Sequence, residues 1–478
     1  MVDEWQDMKK KLIQNLSINA VQLIVNQLLG LGIFYVLSTG LDKNNFGQIN
    51  LVLAILLSVF NILSFGMDQM VVKKIAAGSD TSSVLSIYLV HVLISGLIFY
   101  GLLFAGSVFF HNKNELYSLL LLIGIGKLMI FFSTPFKQAA NGLERFRLIA
   151  YMSVISNLVR CSGLIILGVL HDLSLHNVII IFIAGDVIEL LFCVFLFYRS
   201  AKIKTTLKWN GAGYKSLLLE SLPQTGVVLI TSALARFDWI FIGFMVSAVK
   251  LAEYSFAYKI FEISTLPLLA IAPLLIPRFT KLFQTEDIRA GELKFLVRIE
   301  MIVAAFTGLL LNICWSPVID AVTTGKYGQV NVKTIFILSL CLPVLYLNNF
   351  LWTIYFAQGR LKMILASFIL TFMVNVLGDI LLIPFFKNEG AAFAFLAACI
   401  VQTIYYLKQG TIPELRSVWL PLIVSTLCAL ISGILSRVLF HNSWLILPAA
   451  ILLYFPLLFA SAQLRRSDSK ALKKLFSW

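Results

Sequence analysis

The sequence predicts an all-α polytopic membrane protein of about fourteen transmembrane helices. Three observations predict it. Of 478 residues, 59% are hydrophobic and 13% charged, with a mean hydropathy of +0.90; soluble domains carry about 25% charge and 45–50% apolar residues. Apolar runs of about 20 residues, the length that crosses a bilayer as a helix, recur from end to end. The breaks between them are alternately rich and poor in Lys and Arg. A chain with so little charge cannot clothe several water-facing cores, which excludes a soluble enzyme, a disordered scaffold and a fibrous protein.

The elements follow in order. The polar MVDEWQDMKKK opens the chain, and the apolar run after it is too long for the core of a cleavable signal, so an uncleaved first span is expected. Spans are expected at 12–38, 47–72, 83–110, 116–137, 147–170 and 177–199. The polar AKIKTTLKWNGAGYK, residues 201–215, then separates the first six from 217–246, 253–278, 296–316, 331–357, 362–386 and 390–408. TIPELRSVW leads to a last pair at 418–440 and 443–464. The expected organisation is an N-terminal six-helix lobe, 1–200; a linker, 201–215; a C-terminal six-helix lobe, 216–410; and helices 13 and 14 with a basic tail, 411–478. Cys161, Cys193, Cys314, Cys341, Cys399 and Cys428 all lie in apolar runs without a CxxC pair, so they read as small buried hydrophobes and no metal site is expected.

The formal charge of +14 would raise nucleic-acid binding in a soluble protein. Here its location decides. With alternate breaks grouped by side, the side of the N terminus holds 27 of the 38 bases, including Lys73, Lys74, Arg147, Lys202 and Lys408. The other side holds six: Lys43, Lys113, Lys250, Lys326, Lys333 and Lys387. Bases favour the cytoplasmic face; both termini are therefore expected in the cytoplasm, and no nucleic-acid partner is expected.

The chain repeats itself weakly. LDKNNFGQIN before the second span resembles KLAEYSFAYK before the eighth, and Phe46 and Tyr254 stand 208 residues apart, as do Lys73 and Lys281. Six intervening spans give the two copies the same direction, a parallel repeat with a pseudo-two-fold axis along the membrane normal. Transporters of this kind hold substrate at the repeat interface and alternate access by rocking.

Three segments carry a family resemblance. FGQINLVLAILLSVFNILSFGMDQMVVKKIA is similar to the "FG…G(L/M)D…(R/K)K" stretch of bacterial polysaccharide flippases. RFDWIFIGFMVSAVKLAEYSFAYKIFE resembles their "D…IG…Y..A.(R/K)..E" stretch, and NVLGDILLIPFFKNEGAAFAFL their "N…N..LIP..G..GAA.A", with Asp379 standing where the family often has a second Asn. These flippases belong to the multidrug/oligosaccharidyl-lipid/polysaccharide exporter superfamily, and the resemblance covers nearly the whole chain. It implies two six-helix bundles plus two trailing helices in the bacterial cytoplasmic (inner) membrane. It also implies alternating-access transfer of undecaprenyl-diphosphate-linked oligosaccharide repeat units, as in O-antigen, capsule or exopolysaccharide synthesis, to the periplasmic leaflet. Polysaccharide polymerase or chain-length machinery and membrane lipids are the further partners implied; no cofactor is expected beyond a coupling proton or sodium ion.

Such a cargo needs hydrogen-bonding groups for its sugars and cations for its diphosphate. The first helix carries Asn15, Asn19, Gln22 and Asn26 at spacings of four, three and four, one amide stripe. Amides and hydroxyls also glue membrane helices together, and both readings stand. Lys127, Arg160, Arg236, Lys259 and Arg437 fall inside spans, where a charge costs about 2.5–3.5 kcal/mol and normally faces protein or water. The first four are candidate diphosphate ligands. Lys259 sits where the resemblance places a base facing the lumen, although Glu262 is available to it at i,i+3. Arg437, on the thirteenth helix, reads as snorkelling or a packing contact.

The acids are candidates for ion coupling. Asp186 and Glu189 share a face of the sixth span at i,i+3; two carboxylates so close repel each other, and a proton exchanged there would suit an antiporter. Neutralising Lys127 or Arg160 is the alternative use. Asp238 and Glu262 complete the coupling candidates, while Asp68 and Glu300, near helix ends, read as structural. Pro223, Pro267, Pro273 and Pro277 weaken their helices, as a bending gate or as fixed kinks. A drug or cation antiporter of the same superfamily is the alternative function, disfavoured by the many bases. A membrane glycosyltransferase or polymerase would need an extramembrane catalytic loop, and the longest polar break spans only about 17 residues, so no enzyme activity is expected.

Overall fold

The computed structural model describes residues 2–110, 115–201, 210–265, 290–410, 418–465 and Asp468, with side chains of the first helix described chiefly from Val21 onward. Every regular element among them is a helix. In the first part of the chain these are α1 (Val2–Gly40), α2 (Lys43–Leu63), α3 (Met67–Ala76), α4 (Thr81–Phe110), α5 (Glu115–Gly142), α6 (Phe146–Val169), α7 (Leu175–Ala201) and α8 (Gly211–Met245). Then come α9 (Ala248–Ser264), α10 (Ala290–Thr323), α11 (Val332–Ala357, after a short 3-10 turn), α12 (Leu361–Gln409), α13 (Trp419–Leu439) and α14 (Ser443–Ala460). Ten helices among the described residues are long and apolar enough to cross a membrane. Their outward faces are apolar: Leu102 of α4 is 69% exposed and Val438 of α13 is 70% exposed. Such surface suits lipid rather than water. The chain is a multi-pass helical membrane protein.

One expected span has a different internal form. The run 47–72 is not one helix but α2 and α3, joined through Phe65 and Gly66, both left-handed at φ 48° and 65°. Helix cannot run through such a pair. Gly66 is required there, because a Cβ would lie 2.7 Å from the backbone nitrogen of Thr225 on α8, and Thr225 Oγ1 donates to the Phe65 carbonyl at 2.7 Å. At the start of α2, Asp42 caps the helix, accepting from the backbone N–H groups of Asn44 and Asn45 at 2.9 and 3.0 Å.

The two expected spans 362–386 and 390–408 form one continuous element, α12, with a fold between them. Its 49 residues would reach about 74 Å if straight, far beyond a hydrocarbon core of about 30 Å. Lys387, at φ 52° and ψ −123°, folds it into two arms that coincide with the expected spans 362–386 and 390–408. The arms approach closely at glycines. A Cβ on Gly378 would meet that of Ala394 at 2.8 Å, and one on Gly390 would meet the Leu382 carbonyl oxygen at 2.5 Å.

By internal contacts the chain divides into Met1–Gly243 and Phe244–Trp478, so most of α8, expected to open the second lobe, is counted with the first unit. In the first unit α5 is central, packing on α2, α3, α4 and α7, while α6 joins α1 to α7. In the second, α11 packs on α10 and α12, and α10 on α13 and α14. A core of Ile302, Ala305, Leu309 and Ile313 from α10 meets Cys428 and Ala429 of α13 and Tyr454 and Leu458 of α14. Pro267, Pro273 and Pro277, read above as a bending gate or as fixed kinks, lie outside the described residues, as does most of the 201–215 linker.

Candidate functional site: a buried ion cluster in the first unit

Four of the sequence candidates meet where α5, α6 and α7 pack together. Asp186 of α7 is fully buried, and its two oxygens divide between two cations. Lys127 Nζ of α5 lies 3.2 Å from Oδ2, while the Arg160 guanidinium of α6 ion-pairs with Oδ1. Ser156 Oγ also donates to Oδ1, at 3.1 Å. One turn along α7, Glu189 is equally enclosed. It ion-pairs with Lys137 of α5 and lies 3.3 Å from the Ser133 hydroxyl. The Phe182 ring, one turn before Asp186, faces both upper cations, with its centroid 5.0 Å from the Arg160 guanidinium carbon and 5.9 Å from Lys127 Nζ; the negative ring face attracts each of them.

Glycines make the room. A Cβ on Gly126, beside Lys127, would lie 2.6 Å from Asp186 Oδ2, and one on Gly185 would lie 2.9 Å from Arg160 Cγ. The α5–α7 and α6–α7 contacts therefore close directly over the charged groups. Of the two uses expected for Asp186 and Glu189, a repelling pair or neutralisation of Lys127 or Arg160, the geometry gives Asp186 both of those cations and gives Glu189 Lys137. The local count is three cations, Lys127, Lys137 and Arg160, to two carboxylates, Asp186 and Glu189. Pairing offsets part of the desolvation cost of these groups, and the formal count leaves one base in excess of the acids.

Lys137, Ser133, Ser156 and Phe182 were not among the sequence candidates. Lys137 was grouped with the bases of a loop because the fourth span, 116–137, was expected to end there, whereas α5 continues to Gly142. A signal was present: Ser133 and Lys137 are one turn apart, and Lys137 stands about 80° around the helix from Lys127 at about 100° per residue.

The remaining candidates are placed elsewhere. Gln22 and Asn26 of α1 are half-buried, and Asn157 Nδ2 of α6 donates to Asn26 Oδ1 at 3.1 Å, so at least one amide of the stripe joins helices. The side chains of Asn15 and Asn19 lie outside the described residues. On α8 the Arg236 guanidinium lies over the Trp239 ring at 4.4 Å, and buried Asp238 accepts from the Trp239 backbone N–H at 2.8 Å. On α9 Lys259 pairs with Glu262 at 2.8 Å, the lysine side chain 19% exposed. In the second unit, Asn375 donates to Asp379 at 2.8 Å within the first arm of α12, both side chains buried. Asp68 accepts from the Tyr88 hydroxyl, a contact between α3 and α4.

This fold has solved relatives. The chain is similar to the lipid II flippase MurJ in an inward closed conformation, with a TM-score of 0.73 and 16% identity over 92% of this chain and 97% of that one. It is also similar to an inward-facing multidrug-resistance transporter of the MATE family, with a TM-score of 0.64 and 13% identity over 82% and 97% of the two chains. A transporter of the same MOP superfamily from Pyrococcus furiosus gives a TM-score of 0.57 at 13% identity, over 86% and 96%. No curated protein matches the sequence. The family described as polysaccharide biosynthesis protein matches residues 12–283, a stretch that contains the whole ion cluster and more than half of the chain. The chain therefore belongs to the polysaccharide biosynthesis protein family and has the fold of the MOP-superfamily transporters.

Proposed function

We propose that this protein flips an undecaprenyl-diphosphate-linked oligosaccharide repeat unit from the cytoplasmic to the outer leaflet of the bacterial inner membrane by alternating access. Both termini are then cytoplasmic. The observation that supports the reading most is the local excess, where α5, α6 and α7 meet, of three cations (Lys127, Lys137 and Arg160) over two carboxylates (Asp186 and Glu189). A polar sugar can be accommodated by amides in any span, but a diphosphate needs guanidinium and ammonium groups. Arg160 and Lys127, with Arg236 and Lys259, supply them in this proposal; Asn19, Gln22 and Asn26 meet sugar hydroxyls.

Asp186 and Glu189 give the same site a route to ion coupling. A diphosphate drawing Lys127 and Arg160 toward itself loosens their hold on Asp186, and a carboxylate that loses its cation gains affinity for a proton or a sodium ion. Asp238 and Glu262 are the corresponding acids outside the cluster. Drug export is the second reading, favoured by the likeness to multidrug transporters.

The deciding experiment deletes the gene in its host and locates the lipid-linked repeat unit. Accumulation on the cytoplasmic face, reversed by the wild-type gene and not by Arg236→Ala with Lys259→Ala, is the expected result. Normal surface glycan together with altered drug sensitivity would overturn the flippase reading in favour of drug export.

A further inference from the structure

We infer that the second unit carries a binding site for one anionic phospholipid, formed by α10, α11 and α13 with Arg437 at its head end. The inference stands apart from the flippase reading. It starts from two adjoining cavities. A narrow apolar slot of about 60 Å³ runs between the three helices, walled by Leu309, Leu340, Leu430 and Ile434. Beside it lies a more polar chamber of about 210 Å³, whose wall includes Ser316 and Gln329. Asn312 and Arg437 line both, so they form the boundary between an apolar and a polar compartment.

The slot is apolar in effect as well as in composition. Its two hydroxyls are turned back onto their own helices: Ser339 donates to the Phe336 carbonyl and Thr426 to the Leu422 carbonyl, both at 2.7 Å. It exists because Gly433 has no side chain; a Cβ there would already stand 3.2 Å from Leu309 Cδ1. Its rim reaches the outer surface, where Ile434 is 61% and Phe336 42% exposed. In a membrane protein that surface meets acyl chains, so the slot is open to a lipid tail.

Arg437 supplies the charge. It is exposed, and Nη2 donates to the side-chain and backbone oxygens of Asn312 at 2.8 and 3.2 Å. Both partners are neutral, and among the described residues Arg437 forms no ion pair with a carboxylate. Asp320, which borders the chamber through Ser316, is occupied by the Ser316 hydroxyl at 2.7 Å and the Gly328 backbone N–H at 2.8 Å. Asn312 therefore fixes the guanidinium by one nitrogen and leaves the rest of its fork facing outward. A planar fork of donors at the end of an apolar slot is suited to a phosphodiester. The absence of a carboxylate partner selects a lipid of net negative charge over a zwitterionic one.

The test uses full-length protein purified in mild detergent, relipidated with phosphatidylglycerol or phosphatidylcholine and read by native mass spectrometry. Wild type should retain phosphatidylglycerol preferentially. Arg437→Gln should weaken that retention about tenfold, the loss of a charge-assisted contact, and abolish the preference. Gly433→Leu, which fills the slot and leaves the arginine, should lower retention of both lipids. Thermal melting checks that each variant folds, and either variant alone decides the matter. Undiminished phosphatidylglycerol retention in a folded variant would overturn the site; displacement of that lipid from wild type by an equal concentration of polyprenyl phosphate would overturn its occupant. Because nothing is transported in the assay, its failure is distinct from failure of the flippase reading.

Discussion

Asp186 is the residue on which the buried cluster turns, because two cations share it. Asp186→Asn would leave Lys127 and Arg160 without their carboxylate, and breaking a buried pair from one side costs about 3–5 kcal/mol. Adding Lys127→Met removes one of the stranded charges while Arg160 and Ser156 keep a partner in the amide. The double variant should therefore melt at a higher temperature than Asp186→Asn alone, measured in detergent. A double variant no more stable than the single one would show that Lys127 is not the partner that matters. The neighbouring glycine offers a second check. Gly126→Ala drives a methyl to 2.6 Å from Asp186 Oδ2 and should destabilise by about 1–3 kcal/mol. Gly101→Ala on α4, where a Cβ meets nothing within 4 Å, should be neutral or gain up to about 1 kcal/mol from helix propensity. The sequence showed Lys127, Arg160, Asp186 and Glu189 as charges inside apolar runs, which is a local property. It did not show Lys137 as their companion, because the sequence placed that lysine at the loop end of the fourth span and only the packing of α5 on α7 brings it to Glu189.

Element boundaries follow local chemistry closely where a cap or a long apolar run marks them, and fail where a few backbone angles decide. Asp42 and the apolar residues after it announce α2. The division of 47–72 into α2 and α3 depends on Phe65 and Gly66 being held left-handed against Thr225 of α8, a partner 160 residues away. The fold of α12 falls between the expected spans 362–386 and 390–408, at Lys387. A lysine there adopts a conformation that costs a non-glycine residue about 1–3 kcal/mol, so Lys387→Gly should raise the melting temperature despite the greater freedom it gives the unfolded chain. Gly390→Ala should lower it, since its methyl would press on the Leu382 carbonyl. If both substitutions shifted the melting temperature in the same direction, the arms would not be packed as described.

For the whole molecule, the distribution of bases sets the prediction. In intact cells, a cysteine introduced at Lys387, in the fold between the two arms of α12, should react with a membrane-impermeant maleimide. One introduced at Ser79, beyond the end of α3, should react only after permeabilisation. The reverse pattern would invert the proposed topology and with it the direction of transport. The six native cysteines fall within the described helices, and all but Cys314 are buried, so replacing them with Ala or Ser gives a workable background. What the sequence by itself determined was the solvent of this protein: hydropathy, run length and the alternation of Lys and Arg are sums over neighbours along the chain, and they specify a helical bundle in a bilayer without reference to any distant contact. What only the tertiary structure decided was the pairing. Whether Asp186 faces Glu189 or Lys127, whether 47–72 is one helix or two, and whether Arg437 meets an acid or an open slot all depend on which helices approach within a few ångströms. That approach is set by small residues such as Gly126, Gly378 and Gly433, whose role is to be absent from the space another side chain fills or leaves open.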